Sequence, residues 1–267
     1  MLKDITLGQY FPIDSPLHKM DPRTKLILLV LHIVAIFLAN NLVSYCLITA
    51  FTLGIILLSR VPVKLYFSGL KPILFVIVFT AVLNIFLTPG EKIVFYGYQT
   101  PMTWEGLMLA GKMALRLVLL IITSSALTYT TSPITLTDGL EKLLSPFAKL
   151  GLPTYELAMM MSIAIRFIPT LIEETDKIMK AQKARGADFE SGSIFRRVKA
   201  LAPMLIPLFI SAFRRADELA VAMESRCYQG GSKRTRLNEI HFSGIDSIGA
   251  FVFILFFAAL MITRILL

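Results

Sequence analysis

The sequence predicts an all-α integral membrane protein with about five transmembrane helices and a cytoplasmic region of long amphipathic helices. Three observations carry this. Of 267 residues, 55% are hydrophobic and only 17% charged, against about 25% charged in a typical soluble domain. The apolar residues gather in runs long enough to cross a ~30 Å hydrocarbon core. The charge is unevenly placed: residues 131–243 hold 16 of the 27 Lys and Arg and 12 of the 18 Asp and Glu. The chain accordingly divides into residues 1–25, a transmembrane stretch 26–130, the charged stretch 131–243, and a C-terminal span 244–267.

Residues 1–25 are polar and proline-punctuated, with neither an apolar h-region nor a small-residue cleavage site, so no signal peptide is expected. Asp21-Pro22-Arg23 reads as a helix start, with Asp21 as N-cap and Pro22 in the first helical position. From Leu26 to Ser59 the chain is apolar for 34 residues, broken mainly at Asn40-Asn41. One helix of that length would run about 51 Å, too long for a single crossing. Lys19, Arg23 and Lys25 precede the run, and Arg60, Lys64 and Lys71 follow it. Basic residues favour the cytoplasmic side, so both groups belong there and the run must be a hairpin of two spans.

Pro72–Thr88 forms a third span, and residues 89–103, with three aromatics, an outer loop at the membrane interface. Trp104 closes that loop, and a fourth span, about Leu107–Thr130, returns the chain to the cytoplasm. Within 131–243, Leu136, Leu140, Leu143, Leu144, Phe147 and Leu150 recur at helical spacing and predict an amphipathic helix over 135–150. Leu152-Pro153 breaks it. Two long helices follow, Glu156–Ala184 and Phe195–Ser225. Ile245–Leu267 is the fifth span and carries the C-terminus outside.

Several function classes are excluded or disfavoured. The net charge of +9 fits cytoplasmic loops, and no aromatic-interleaved basic tract suggests nucleic-acid binding. Cys46 and Cys227 are expected on opposite sides of the membrane, so no disulfide is expected. His18, His32 and His241 lack metal-ligand spacing. No nucleophile–base constellation is apparent, and no enzyme activity is expected of the chain itself. No G-x-x-x-x-G-K-[ST] phosphate loop exists; GGSKRT at 230–235 has the wrong spacing.

Two candidate sites remain. The first is a pair of helix ends, Ala184-Arg185-Gly186 and Ser225-Arg226-Cys227, 41 residues apart. Each arginine follows an aspartate by nine residues: Asp176 and Asp217. At about 100° per residue the aspartate faces away from its arginine, so neither pair can form an intrahelical salt bridge. Each arginine also lies three residues past a one-sided stripe: Leu171, Ile172, Thr175, Ile178, Met179 and Gln182 on the first helix, and Phe209, Ile210, Phe213, Ala216, Ala220 and Met223 on the second. A plain C-cap role accounts for the same residues, and spacing leaves it open beside a docking role. The second candidate is Lys112 and Arg116, four apart on one face of the fourth span, where a charge is costly and marks intramembrane packing or function.

These motifs together resemble the T component of the energy-coupling factor transporters, over nearly the whole chain. The N-terminal signature is similar to GQYFPIDSPLHKMDPRTKL (8–26), and the central one to TTSPITLTDGLEKLLSPF (130–147) and AIRFIPTLIEETDKIMKAQKARGADF (164–189). The resemblance implies that 131–243 is a coupling region. Its two Ala-Arg-Gly-like triplets would enter grooves on two cytoplasmic ABC-type ATPases. It also implies a separate small membrane S component that captures the vitamin or other micronutrient, ATP bound only by the partners, no cofactor on this chain, and residence in the cell membrane. The second triplet departs from Ala-Arg-Gly at both flanks, though Ser225 and Cys227 remain small. The N-terminal signature implies a component shared among several capture proteins. The alternative is a self-sufficient secondary transporter, which would keep its repeat and substrate cavity among the spans; here the repeat lies in the charged region.

Overall fold

The computed structural model describes residues 9–95, 98–151, 153–187, 194–230 and 241–266. Among them, ten α-helices account for most of the chain. Leu152, Asp188, Phe189 and most of the GGSKRT segment, all named above, lie outside the described residues. The chain divides into two compact units, Gly8–Leu140 with Ile240–Leu267, and one built on Glu141–Glu239.

In the first unit a short α1 (Pro16–Lys19) leads into α2 (Pro22–Leu38). Asp21 N-caps α2 as expected, accepting from the Arg23 amide at 2.8 Å, with Pro22 in the first turn. The chain turns at Ala39–Asn41 into α3 (Leu42–Ser59), the expected hairpin. Next come α4 (Val63–Leu70), a 3₁₀ turn over Lys71–Ile73 and α5 (Leu74–Leu87). The segment 89–103, read from sequence as a loop, contains an antiparallel hairpin, β1 (Lys92–Phe95) and β2 (Tyr98–Thr103). It delivers the chain to α6 (Trp104–Thr130), where Thr103 is the N-cap and also donates to the Thr88 carbonyl at 2.8 Å. A Cβ on Gly106 would stand 2.7 Å from the Asn84 carbonyl, so only glycine lets α5 and α6 meet this closely.

The long helix α6 packs against α2, α3, α4 and α5, while α10 (Gly244–Leu266) lies on α2 and α3. Their shared core holds Ile36, Ile48, Leu119, Phe253, Phe256 and Leu260. Phe51 stacks on Phe256 at 4.1 Å. The outward faces stay apolar: Leu57 is 76% exposed, Phe75 77% and Leu87 71%. A face of that kind is at home in lipid, not in water.

In the second unit a 3₁₀ turn (Ser145–Leu150) precedes α8 (Thr154–Ala184), which packs against α9 (Ile194–Glu224). The helix predicted over 135–150 is thus α7 (Pro133–Leu144) plus that turn: Pro146 stands at the start of the turn and Gly151, at φ 89°, caps its end. Both long helices contain proline, Pro169 in α8 and Pro203 and Pro207 in α9, each removing a backbone donor from the helical ladder.

Among the described residues, five helical segments are long and apolar enough to cross a membrane by length and composition: Leu42–Ser59, Val63–Leu87, Trp104–Thr130, Thr154–Ala184 and Gly244–Leu266. The number agrees with the sequence expectation, but the membership differs. Four of them are the second to fifth expected spans, and α8, whose first half is rich in Leu, Met and Ile, is an addition. The first expected span, α2, has 17 residues and runs about 25 Å, at the short end of what a crossing needs.

Candidate functional site

The two arginine-bearing ends are built alike. At the end of α8, the Gly186 amide donates to Lys183 O at 3.0 Å and the Ala187 amide to Gln182 O at 3.0 Å. At the end of α9, Cys227 N donates to Glu224 O at 2.9 Å and Tyr228 N to Met223 O at 3.0 Å. This is the same paired bonding in both, a Schellman closure with its left-handed residue one past the cap. The left-handed residues are Gly186, φ 85°, and Cys227, φ 58°. Arg185 and Arg226 therefore occupy the identical position, the last before the reversal.

Ala184, Arg185, Gly186, Ser225, Arg226 and Cys227 are all exposed. Neither guanidinium is paired with a carboxylate among the described residues. The cap geometry proposed as the plain explanation is thus present at both ends, but the side chains themselves remain outward and available. Cys227 departs from expectation: it adopts a conformation that glycine normally takes, at a cost of roughly 1–2 kcal/mol for a side-chain-bearing residue.

The α8 stripe behaves as predicted: Leu171, Ile172, Thr175, Ile178, Met179 and Gln182 are half-buried, and their neighbours Glu173, Lys177 and Lys180 are exposed. On α9 the prediction held only at Met223; Phe209, Ile210, Phe213, Ala216 and Ala220 are exposed. Leu208, Ser211, Ala212, Arg215, Leu219 and Met223 are the half-buried positions. Phe209, Ile210 and Phe213, expected to pack, are 60%, 58% and 68% exposed. The reason lies on α8: Glu174 Oε2 accepts from the Arg215 guanidinium at 2.9 Å, and its other oxygen accepts from the Ser211 hydroxyl. The polar pair turns toward α8 and leaves the aromatic face uncovered.

In the first unit, Arg116 is only partly buried and is held within the chain. It donates to Ala39 O at 3.2 Å, closing the C-terminal end of α2, and to the Tyr45 hydroxyl at 3.0 Å on α3. Its guanidinium also lies 5.4 Å from the centre of the Phe37 ring. Lys112, one turn earlier, is half-buried and has no such bond among the described residues.

Sequence reasoning missed a buried polar cluster that ties the N-terminal signature to two spans. Asp246, 3% exposed, accepts from the Asp21 amide at 2.7 Å, the Ser243 amide at 2.7 Å and the Ser243 hydroxyl at 2.8 Å. It therefore terminates two helix N-termini at once, α2 and α10. Lys25, also buried, donates to the Thr130 carbonyl at 3.0 Å and to the Thr131 hydroxyl at 3.2 Å, anchoring the end of α6. The signal was present: Ser243-x-x-Asp246 is a capping box.

A bundle with apolar outer faces, joined in sequence to a helical pair that ends in two exposed arginines, defines an all-α integral membrane protein. A family model for CbiQ, cobalt transport protein, matches residues 14–237. The energy-coupling factor transporter transmembrane protein EcfT of Ruminiclostridium cellulolyticum is 55% identical over 92% of this chain and 92% of its own. The protein of the same name in Clostridium kluyveri is 56% identical over 94% and 93%, and that in Bacillus subtilis 51% over 92% and 93%. The chain belongs to this family of energy-coupling factor transporter transmembrane proteins.

Proposed function

We propose that this protein is the coupling subunit of an ATP-driven importer of vitamins or similar micronutrients in the cell membrane. Two cytoplasmic ABC-type ATPases dock on the exposed ends of α8 and α9, one on each, and a separate membrane S component captures the substrate. The chain contributes no catalysis and no cofactor; ATP is bound by its partners. The observation that carries this reading is the equivalence of the two ends: same closure, same arginine position, same exposure. Two like tips suit the two like sites of an ATPase dimer, and a guanidinium can bind carboxylates or carbonyls there with its fork of donors. The uncovered Phe209, Ile210 and Phe213 offer an apolar surface for the S component.

The test is copurification of the ATPases with Arg185→Ala, Arg226→Ala and the double variant, alongside vitamin uptake. Interface arginines of this kind cost about 2–4 kcal/mol when truncated, or roughly 30- to 1000-fold in affinity. Each single variant is expected to weaken docking and uptake, the double to abolish both, and lysine to rescue in part. Normal ATPase recovery and uptake in a membrane-inserted double variant would leave the arginines as helix caps alone.

A further inference from the structure

Glu174 stands eleven residues before Arg185, and Arg215 eleven before Arg226. Eleven residues make three helical turns to within about 20°. Each docking arginine therefore lies on the same side of its helix as the member of the Glu174–Arg215 pair that its helix supplies. The contact is also more than an isolated surface ion pair. Both carboxylate oxygens are engaged, one by the Arg215 guanidinium at 2.9 Å and the other by the Ser211 hydroxyl, one turn away on α9. Glu174 and Arg215 are 23% and 34% exposed, so the bond is partly screened from water. Pro169 lies five residues before Glu174 and Pro207 four before Ser211. The contact thus joins the two arms just beyond the places where each helix lacks a ladder bond.

We propose that Glu174 is a positioning residue. Its bonds to Ser211 and Arg215 clamp the two arms at equal distance from their tips and fix the separation of Arg185 and Arg226. This rests on the docking role proposed above. Without the clamp each arm bends at its own proline, and the tips lose a defined spacing.

The test uses the full-length chain in lipid nanodiscs without the ATPases, with Cys46 and Cys227 changed to serine. Spin labels go on Lys180→Cys and Val221→Cys, exposed positions five residues before each tip arginine. Pulsed electron–electron resonance should give one narrow distance distribution. Glu174→Ala and Arg215→Ala should broaden it and shift its mean by several ångströms, and the swap Glu174→Arg with Arg215→Glu should restore most of the narrowness. Distributions in both alanine variants that superimpose on the parent would overturn the proposal, as would a swap no narrower than either alanine variant. ATPase copurification separates the two readings. Normal recovery with Arg185→Ala/Arg226→Ala refutes docking through the arginines, whatever the distances show. An unchanged distribution in Glu174→Ala refutes the clamp, whatever the docking shows.

Discussion

Replacing Asp246 with asparagine should destabilise the first unit almost as much as alanine does. The two carboxylate oxygens serve different helices. One takes the Asp21 amide at the start of α2, and the other takes the Ser243 amide and hydroxyl at the start of α10. Asparagine keeps the shape but only one acceptor oxygen, and it turns its NH₂ toward one of those donors. A hydrogen bond to a charged group contributes about 1.5–3 kcal/mol, and a buried donor left unpaired costs about 1–3 kcal/mol. Loss of the negative charge at two helix N-termini adds a few tenths to 1 kcal/mol at each. Because these contributions overlap, we expect about 3–5 kcal/mol for Asp246→Ala and about 2–4 kcal/mol for Asp246→Asn. Ser243→Ala, which leaves both amides bonded, should cost only about 1 kcal/mol. Reversible unfolding of the detergent-solubilised chain, followed by circular dichroism, measures all three. An asparagine variant within about 0.5 kcal/mol of the parent would show that the site needs only volume and would refute the two-helix cap.

Arg116→Ala strips the bonds from a carbonyl and a hydroxyl on the buried residues Ala39 and Tyr45 and should cost about 2–4 kcal/mol. Tyr45→Phe should cost about 1 kcal/mol, and a double-mutant cycle read by the same unfolding assay should reveal their coupling. Cys227→Gly removes the strain of a left-handed cysteine and should raise the stability of the α9 end by up to about 1 kcal/mol, seen as slower amide exchange at Tyr228, while ATPase recovery is kept. In whole cells an impermeant thiol reagent should label Tyr98→Cys and not Cys227; labelling of Cys227 from outside would refute the proposed topology.

Much of the fold was legible because lipid imposes long apolar runs and basic residues mark their ends. The α2–α3 turn at Ala39–Asn41 is the clearest case. The hairpin at 92–103 was not, since its aromatic residues serve equally well in an interfacial loop and a four-residue strand carries little periodic signal. The tips were legible as a repeat, and the resemblance set Cys227 where the first triplet has Gly186, but the shared left-handed closure was not legible from spacing. On α9 the periodicity failed because the helix is apolar nearly all round between Leu201 and Phe213. With several apolar faces to choose from, the partner decided, and the unpaired Glu174 carboxylate would have been the costlier group to leave facing α9 without a donor. Asp246 was overlooked because an acidic residue at the edge of a span reads as solvent-facing until a second helix start, 225 residues away in sequence, is brought against it.

The prolines give the long helices a mechanical character. Arg185 lies 16 residues beyond Pro169 and Arg226 lies 19 beyond Pro207, arms of about 24 and 28 Å. A change of about 10° in bend at each proline sweeps the two arginines through about 4 and 5 Å. On the docking proposed above, a modest rotation of the partners corresponds to a small angular change at the root of each arm. The same ratio works in reverse: a small movement at the apolar ends of α8 and α9 reaches the two arginines magnified. The two arms have the proportions of levers, and the proline positions set their gearing.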